Sequence, residues 1–136
     1  MSTGLEGLAI ARGQAQAGAM ADIRIKRVYE PPAKGDGARI LVDRIWPRGL
    51  SKEKAQLTLW LKEIAPSTGL RKWFGHDPAR WAEFQRRYRL ELEANGAAVG
   101  ELREVLKQGP ATLLYGAHDE AHNQAVALAD WLHEHR

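Results

Sequence analysis

Residues 40–49, with the sequence ILVDRIWPRG, decide the fold that we predict for this chain. The run Ile40-Leu41-Val42 is short, apolar and uninterrupted, which is typical of a strand buried inside a sheet. Charged residues follow the run directly, and Pro47 and Gly49 then turn the chain away from the strand. The stretch therefore predicts a buried strand that ends in a charged turn.

Two other segments of the chain also predict strands. Residues 23–28 alternate apolar with basic side chains, which is the pattern of a half-exposed edge strand. Residues 111–115, with the sequence ATLLY, follow a Gly-Pro break and predict a central strand. Because a long helical connection separates this strand from Ile40-Leu41-Val42, we expect the two strands to run parallel.

The segment after the charged turn is predicted to be a helix. Ser51 is its predicted N-cap, and Pro66 ends it. Four apolar residues in this segment recur at the spacing of one helical face, namely Leu57, Trp60, Leu61 and Ile64.

Helix signals continue through the rest of the chain. Ser67 is the predicted cap of a short helix that ends near Gly75, and Asp77, followed by proline, is the predicted cap of a long helix. A shorter helix is predicted around residues 102–106. Asp119 is the predicted cap of the final helix.

The order of the predicted elements is strand, strand, several helices, strand and helix. This order predicts an α/β fold, a small single-domain layered sheet with at least three strands that is partly parallel and flanked by helices. The domain is predicted to span residues 22–136. Residues 1–21 are rich in Gly, Ala and Gln and show no sustained period, so we predict a flexible N-terminal extension there.

The composition excludes several classes of protein and site. The 136 residues include no Cys, so a disulfide framework, a thiolate metal site and a cysteine nucleophile are all excluded. No apolar run approaches the roughly 18 to 20 residues that span a bilayer, so we expect a cytoplasmic protein with no membrane partner. The net charge of +3 and the isoelectric point near 9.4 are compatible with anionic ligands.

The predicted parallel strands place two segments of the chain side by side. Ligands of open α/β sheets usually bind just outside the carboxyl ends of the strands. Residues 43–49 and residues 115–123 lie at the ends of the two inner strands. We therefore expect these segments to form the two halves of one cleft.

The first half of this cleft predicts an anion site. Arg44 and Arg48 flank a rigid Trp-Pro unit, and guanidinium groups are forked donors that match phosphate and carboxylate groups. The predicted ligand-binding residues of this half are Arg44, Trp46 and Arg48. The alternative is that Arg44 pairs with an internal carboxylate such as Asp43 or Asp119, while Trp46 fills the core.

The second half carries side chains that are suited to proton transfer. His122 can act as a general acid or base near neutral pH, and Tyr115 carries a hydroxyl at the strand end, so both are predicted catalytic residues. Asp119 and Asn123 are predicted to bind the ligand, and His76 joins them from a tight loop. The alternatives are a helix cap for Asp119 and a satisfied, partly buried polar role for His122.

Three histidines and a carboxylate raise the alternative of a metal site. His76, His118, Asp119 and His122 could in principle surround zinc or iron, but their spacing matches no established metal motif. A phosphate loop and a dinucleotide fingerprint are also absent from the sequence, because the glycines near Lys34 lack the required spacing. We therefore predict no metal and no cofactor.

A basic stretch of the long predicted helix points to a different class of partner. Arg80, Arg86, Arg87 and Arg89 lie beside an apolar stripe, and such a stretch can contact nucleic acid. The simpler interpretation is a solvated outer face that covers an aromatic core.

Several motifs together resemble the YeaO-like family, also called domain of unknown function 488. The resemblance extends from about Ile23 to near the C-terminus and is carried by Arg27-Val28-Tyr29, residues 39–49, Ala65-Pro66-Ser67, Leu70-Arg71-Lys72, Phe74, residues 112–115, Asn123 and residues 128–132. It implies a compact α/β fold and a bacterial cytoplasmic setting, but no established reaction, cofactor or catalytic residue. The residues that fit the family pattern are Arg44, Arg48, Tyr115 and Asn123, whereas His122 is not a fixed feature of it.

These observations predict an uncharacterised small-molecule-binding domain, or a weakly specified enzyme, with an arginine-lined anion site at the sheet edge. The expected partner is an anionic small molecule. The alternatives are a nucleic-acid-binding module and a non-catalytic interaction domain that dimerises through an exposed tryptophan surface.

Overall fold

Residues 23–135 are described by a computed structural model of the chain. The strands are β1 (Ile23–Arg27), β2 (Ala38–Leu41), β3 (Leu59–Trp60) and β4 (Ala111–Tyr115). The helices are α1 (Lys52–Ala55), α2 (Thr68–Phe74), α3 (Trp81–Glu93), α4 (Gly96–Leu106) and α5 (Gln124–Glu134). The N-terminal extension predicted for residues 1–21 lies outside the described residues.

The four strands form one parallel sheet in the order β1-β4-β2-β3. β4 pairs with β1 on one side and with β2 on the other, so that Leu113 lies between Ile25 and Ile40. The predicted edge strand, the predicted central strand and the parallel pairing of the two inner strands are therefore confirmed. The α/β fold class is confirmed as well.

The two faces of the sheet carry hydrophobic cores of different size. Because side chains alternate along a strand, Ile40 and Leu113 belong to the large core that includes residues of α2 to α5, whereas Leu41 and Leu114 belong to a small cluster. The chain between β2 and the end of β3 packs four partly buried side chains against this small cluster, namely Trp46, Leu50, Leu57 and Trp60.

The helix predicted from Ser51 to Pro66 is wrong beyond its first turn. Ser51 does cap a helix, because its Oγ accepts a hydrogen bond from Lys54 N at 3.1 Å. This helix, α1, ends after a single turn at Gln56, whose φ of 46° lies in the left-handed region. A left-handed residue directs the chain out of the helix.

The edge of β2 explains why a strand follows α1. Thr58 N donates to the Arg39 carbonyl oxygen at 2.8 Å, and Leu61 N donates to the Leu41 carbonyl oxygen at 2.9 Å. An unpaired strand edge presents a row of backbone donors and acceptors that need partners when they are buried. These long-range hydrogen bonds outweigh the helical spacing of the apolar residues and produce β3.

Two of the predicted helix caps after this segment are confirmed. Ser67 Oγ accepts a hydrogen bond from Leu70 N at 3.2 Å at the start of α2, and Gly75 ends this helix in the left-handed conformation. Asp77 accepts a hydrogen bond from Ala79 N at 3.0 Å in the 3₁₀ turn that leads into α3. Both caps lie within four residues of the donors that they satisfy, so local sequence was sufficient to predict them.

The cap predicted for the final helix is wrong. Asn123, and not Asp119, precedes α5, and its Oδ1 accepts a hydrogen bond from Val126 N at 3.1 Å. Asp119 instead accepts hydrogen bonds from Ala121 N and His122 N in a turn before the helix. Asp and Asn are equally good caps, so the sequence contained two competing start signals four residues apart.

Helix α3 buries the apolar stripe that the sequence predicts. Phe84, Tyr88 and Leu92 are buried, and the Tyr88 hydroxyl donates to the Ile64 carbonyl oxygen at 2.6 Å. α4 contains the predicted shorter helix around residues 102–106. Within residues 23–135, no helix has the length and the apolar character that crossing a membrane requires.

Candidate functional site

A cavity of about 730 Å³ lies at the carboxyl ends of β2 and β4. Residues 43–48, which follow β2, line it together with residues 116–119 and residues 122–124, which follow β4. Helix α2 and the loop after it contribute Arg71 and His76. The two segments expected to form one cleft therefore line the same cavity, and its volume is typical of small-molecule sites, which measure about 300–1,000 Å³.

Asp43 is a half-buried carboxylate on the wall of this cavity. Gly116 N donates to its Oδ2 at 3.0 Å, and Gln124 Nε2 donates to its Oδ1. Burial raises the pKa of Asp43 to about 6, although these hydrogen bonds and the charge of Arg71 oppose the shift. The Asp43 carboxyl can therefore gain or lose a proton close to neutral pH.

Gly116 allows the ends of β2 and β4 to approach each other. A Cβ atom at this position would lie 2.9 Å from Asp43 Oδ2 and 3.5 Å from Pro47 Cβ. The first distance is shorter than a non-bonded contact allows, so a side chain at residue 116 would displace the carboxylate.

Arg44 connects the end of β2 to the loop before α2. Its Nε donates to the Pro66 carbonyl oxygen and its Nη2 to the Ala65 carbonyl oxygen, both at 3.0 Å, while Nη1 lies 3.8 Å from a carboxylate oxygen of Glu63. Arg44 therefore lines the cavity with two of its three guanidinium nitrogens engaged by the backbone. Its internal carboxylate is Glu63, rather than Asp43 or Asp119.

Arg48 and Arg71 are the cations on the cavity wall whose donors are not engaged in this way. Both residues are exposed, and neither guanidinium forms a hydrogen bond or an ion pair within residues 23–135. The backbone at Arg48 is anchored, because its carbonyl oxygen accepts a hydrogen bond from the Tyr29 hydroxyl at 2.7 Å. Arg71 was not predicted as a site residue, and its only sequence signal was its position in the YeaO-like pattern.

His122 is oriented from two sides at the cavity wall. Its Nδ1 lies 2.9 Å from Asp119 Oδ2, and its ring meets the Trp81 ring edge-on at a centroid distance of 5.3 Å. The hydrogen bonds from the His122 side chain and from Ala121 N hold the pKa of Asp119 below its usual value. With Nδ1 directed at the carboxylate, Nε2 is the ring nitrogen left for a ligand.

Tyr115, predicted to be catalytic, and Asn123, predicted to bind a ligand, are both buried. Tyr115 is 3% exposed and is absent from the cavity lining, and burial and the charge of Glu120 raise the pKa of its hydroxyl. Asn123 is 1% exposed, and its amide is engaged at both ends, by Val126 N and by the Asp119 carbonyl oxygen. The local geometry gives Asn123 a helix-capping role at the cavity wall.

Trp46 and His76, both predicted to bind a ligand, line the cavity in different ways. Trp46 is half-buried, and its Nε1 donates to the Leu50 carbonyl oxygen at 2.7 Å, which holds the turn after β2 together. His76 is exposed and has a φ of 58°, a left-handed conformation that is uncommon for a residue with a side chain. Such backbone strain often occurs at functional sites.

The three histidines and the aspartate predicted as alternative metal ligands all line the cavity. The residues concerned are His76, His118, Asp119 and His122. In the part of the chain that the structure describes, however, no group of three or more His, Cys, Asp or Glu side chains is arranged to hold a metal ion. The side chains that line the cavity offer hydrogen bonding, positive charge and proton exchange.

The arginines of the α3 region, which favoured nucleic acid, all have carboxylate partners within the domain. Internal ion pairs reduce the positive charge that is available to a phosphate backbone. The pairs are Arg80 with Asp77, Arg86 and Arg87 with Glu83, and Arg89 with Glu134.

Residues 22–136 match a family that is described as the inactive DUF488-N3 subclade. The chain is similar to the uncharacterised protein YeaO of Escherichia coli strain K12, with 46% identity over 111 residues that cover 82% of this chain and 96% of that protein. It is also similar to an uncharacterised protein of Mycobacterium tuberculosis strain H37Rv, with 41% identity over 110 residues that cover 81% of this chain and 92% of that protein. No solved structure matches the chain.

Proposed function

We propose a ligand-binding function for this chain, which belongs to the DUF488-N3 family in the subclade described as inactive. In this proposal the protein holds an anionic small molecule in the cavity at the carboxyl ends of β2 and β4. The observation that carries the proposal is that Arg48 and Arg71 line a cavity of about 730 Å³ and that their guanidinium donors form no hydrogen bond or ion pair within residues 23–135.

The contrast with other arginines in the chain supports this assignment. Arg39 and Arg86, for example, donate to Asp36 and Glu83, so their charge is neutralised within the domain. A concave surface with two unpaired guanidinium groups attracts anions, because the positive potential is concentrated there. Arg44 serves as a positioning residue in this scheme, since its hydrogen bonds hold the turn that carries Arg48.

Binding without turnover is consistent with the state of the predicted catalytic residues. Tyr115 is buried and does not line the cavity. His122 is half-buried and oriented by Asp119, and in its imidazolium form its Nε2–H can donate a hydrogen bond to a bound anion, so its role is not limited to proton transfer. The description of the family as inactive favours the binding role.

Inorganic phosphate is a suitable probe, followed by amide chemical shifts in a nuclear magnetic resonance titration. We expect saturable shifts confined to residues 43–49, residues 71–76 and residues 115–124. Removal of a charge-assisted contact costs about 1.5–3 kcal/mol, so Arg48→Ala and Arg71→Ala should each weaken phosphate binding by about tenfold or more.

Lys72→Ala provides the matched control. Lys72 is exposed, follows Arg71 on the same helix and is absent from the cavity lining, so its removal changes the net charge equally without touching the site. We expect the phosphate affinity of the Lys72→Ala variant to stay within about twofold of the wild-type affinity. The proposal fails if phosphate shifts no cavity residue, or if Lys72→Ala weakens binding as much as Arg71→Ala does.

A further inference from the structure

The same cavity has an aromatic wall in addition to its cations. The Phe74 and Phe84 rings are stacked at a centroid distance of 4.3 Å, and both contribute to the lining. The Trp81 ring lies 5.9 Å from Phe74 and 5.6 Å from Phe84, and supports the pair from behind the lining. The imidazole of His76 lies 6.4 Å from the Phe74 ring and extends this wall toward solvent.

Exposed apolar surface is concentrated at this cavity. Within residues 23–135, four large apolar side chains are exposed, and two of them, Tyr29 at 42% and Ile45 at 58%, line the cavity. Exposed apolar groups around a concave site are typical of a surface that a ligand covers. A purely ionic ligand such as phosphate would leave both side chains in water.

We infer that the ligand of this cavity is an aromatic anion, whose flat ring packs against the exposed His76 and the small exposed parts of Phe74 and Phe84, while its acidic group is held by Arg48 and Arg71. This inference rests on the proposed function, because it assigns a chemical class to the ligand of the same site. Flat rings are favoured over branched aliphatic groups because aromatic pairs gain from offset or edge-on packing beyond the area that they bury.

The size and charge of the site agree with this class. A cavity of about 730 Å³ is in the range that encloses a ring system with its substituents, and it is far larger than a bare oxyanion needs. Asp43 adds a carboxyl to the wall next to the charge of Arg71, and this carboxyl disfavours a ligand with several acidic groups. The size and the charges of the cavity therefore favour a ligand that carries a single acidic group on an aromatic ring.

Three probes separate the ring from the charge: inorganic phosphate, phenyl phosphate and cyclohexyl phosphate. All three present a phosphate oxyanion, and only phenyl phosphate carries a flat ring. By calorimetry with the full chain, we expect phenyl phosphate to bind about tenfold more tightly than inorganic phosphate, and several-fold more tightly than cyclohexyl phosphate. His76→Asn should reduce the preference for phenyl phosphate over cyclohexyl phosphate by about threefold.

His76→Asn is chosen because we expect the variant protein to fold like the wild type. The residue is exposed, and Asn is among the residues that tolerate the left-handed conformation at this position. His133→Asn, on the exposed surface of α5 and away from the cavity lining, is the matched control and should leave all three affinities unchanged.

The outcomes distinguish this inference from the proposed function. If inorganic phosphate binds through Arg48 and Arg71 but phenyl phosphate binds no more tightly than cyclohexyl phosphate, the aromatic class is overturned and the anion site stands. If His76→Asn leaves the preference for phenyl phosphate unchanged, the aromatic wall is overturned as the binding surface. If none of the three probes binds, both proposals are overturned.

Discussion

Two aspartates at opposite ends of β2 have opposite environments. Asp36 precedes the strand, is 5% exposed, and receives hydrogen bonds from Arg39 at 2.5 Å and from Lys26 at 3.2 Å. Asp43 follows the strand and lines the cavity, and its hydrogen-bond donors within residues 23–135 are the neutral groups of Gly116 and Gln124.

The pKa values of the two carboxyls shift in opposite directions. Burial raises the pKa of Asp36, but the hydrogen bonds from Ala33 N, Lys26 and Arg39 outweigh it and leave the pKa below the ordinary value. At Asp43 burial prevails and the pKa rises to about 6. A carboxylate whose partners are cations is a structural element, whereas one with neutral partners beside a cavity remains available for a ligand or a proton.

The largest expected effect is on the free energy of unfolding and concerns Asp36, the carboxylate before β2 whose partners include two cations. Arg39 is 5% exposed and donates to Asp36 and to the Ala55 carbonyl oxygen, so Arg39→Met leaves a buried carboxylate with one cation fewer. Breaking a buried ion pair in this way should lower the free energy of unfolding by about 3–5 kcal/mol, measured by urea denaturation.

The control for this variant is Arg86→Met on the surface of α3. Arg86 is exposed and pairs with Glu83, and exposed pairs contribute at most about 1 kcal/mol. Equal losses of unfolding free energy in Arg39→Met and Arg86→Met would show that the network around Asp36 contributes no more to stability than a surface ion pair does.

The second effect is a pH dependence of the free energy of unfolding, which arises from Asp43 at the end of β2 next to the cavity. The folded-state pKa of Asp43 lies above its ordinary value of 3.8, so the folded protein holds this proton more tightly than the unfolded chain does. The resulting stability is present in full below about pH 4 and is lost as the pH rises through about 6. Relative to Asp43→Asn, the wild type should therefore lose about 2–3 kcal/mol of unfolding free energy between pH 4 and pH 7.5.

Denaturation of both proteins at the two pH values measures this difference directly. Asp130→Asn, at an exposed position on α5, is the matched control and should show a difference that changes little with pH. A pH-independent difference between wild type and Asp43→Asn would mean that the Asp43 carboxyl is solvated like an ordinary surface group.

The third effect tests the close approach of the two strand ends. Gly116→Ala places a Cβ atom 2.9 Å from Asp43 Oδ2, and relief of that overlap should cost about 1–3 kcal/mol of unfolding free energy. Gly100→Ala is the control, because a Cβ atom there meets no atom within 4 Å and the residue lies inside α4. In a helix interior this change should stabilise the protein by about 0.5–1 kcal/mol, so the two variants should shift the melting temperature in opposite directions.

The smallest effect is expected at the two unpaired arginines. Arg48→Ala and Arg71→Ala remove exposed groups with no ion pair within residues 23–135, so each should change the free energy of unfolding by no more than about 0.5 kcal/mol. A loss above about 2 kcal/mol in either variant would assign that arginine a structural role like that of Arg39.

Short-range signals explain which parts of the fold and of the site were predictable. The apolar run of β2, the caps Ser67 and Asp77, and the stripe of α3 depend on residues within a few positions of each other. The parallel pairing of the inner strands followed from the long helical connection, and it brought residues 43–49 and residues 115–123 to one edge. These features indicated where a site would be.

Contacts between distant residues decided what the sequence alone left open. The strand at Leu59 formed because the edge of β2 offered hydrogen bonds, and Arg44 turned to the carbonyl oxygens of Ala65 and Pro66. Arg71 lines the cavity together with residues that follow β2 and β4 and that are distant from it in the chain.

The sequence by itself determined three of the four strands, the α/β class and the position of the cleft, because periodicity, caps and turns act over a few residues. Only the tertiary structure decided the protonation behaviour of Asp43 and which arginines remain unpaired. Burial and pairing depend on groups such as Gly116, 73 positions from Asp43 in the chain, and a distance of that kind is set by folding alone.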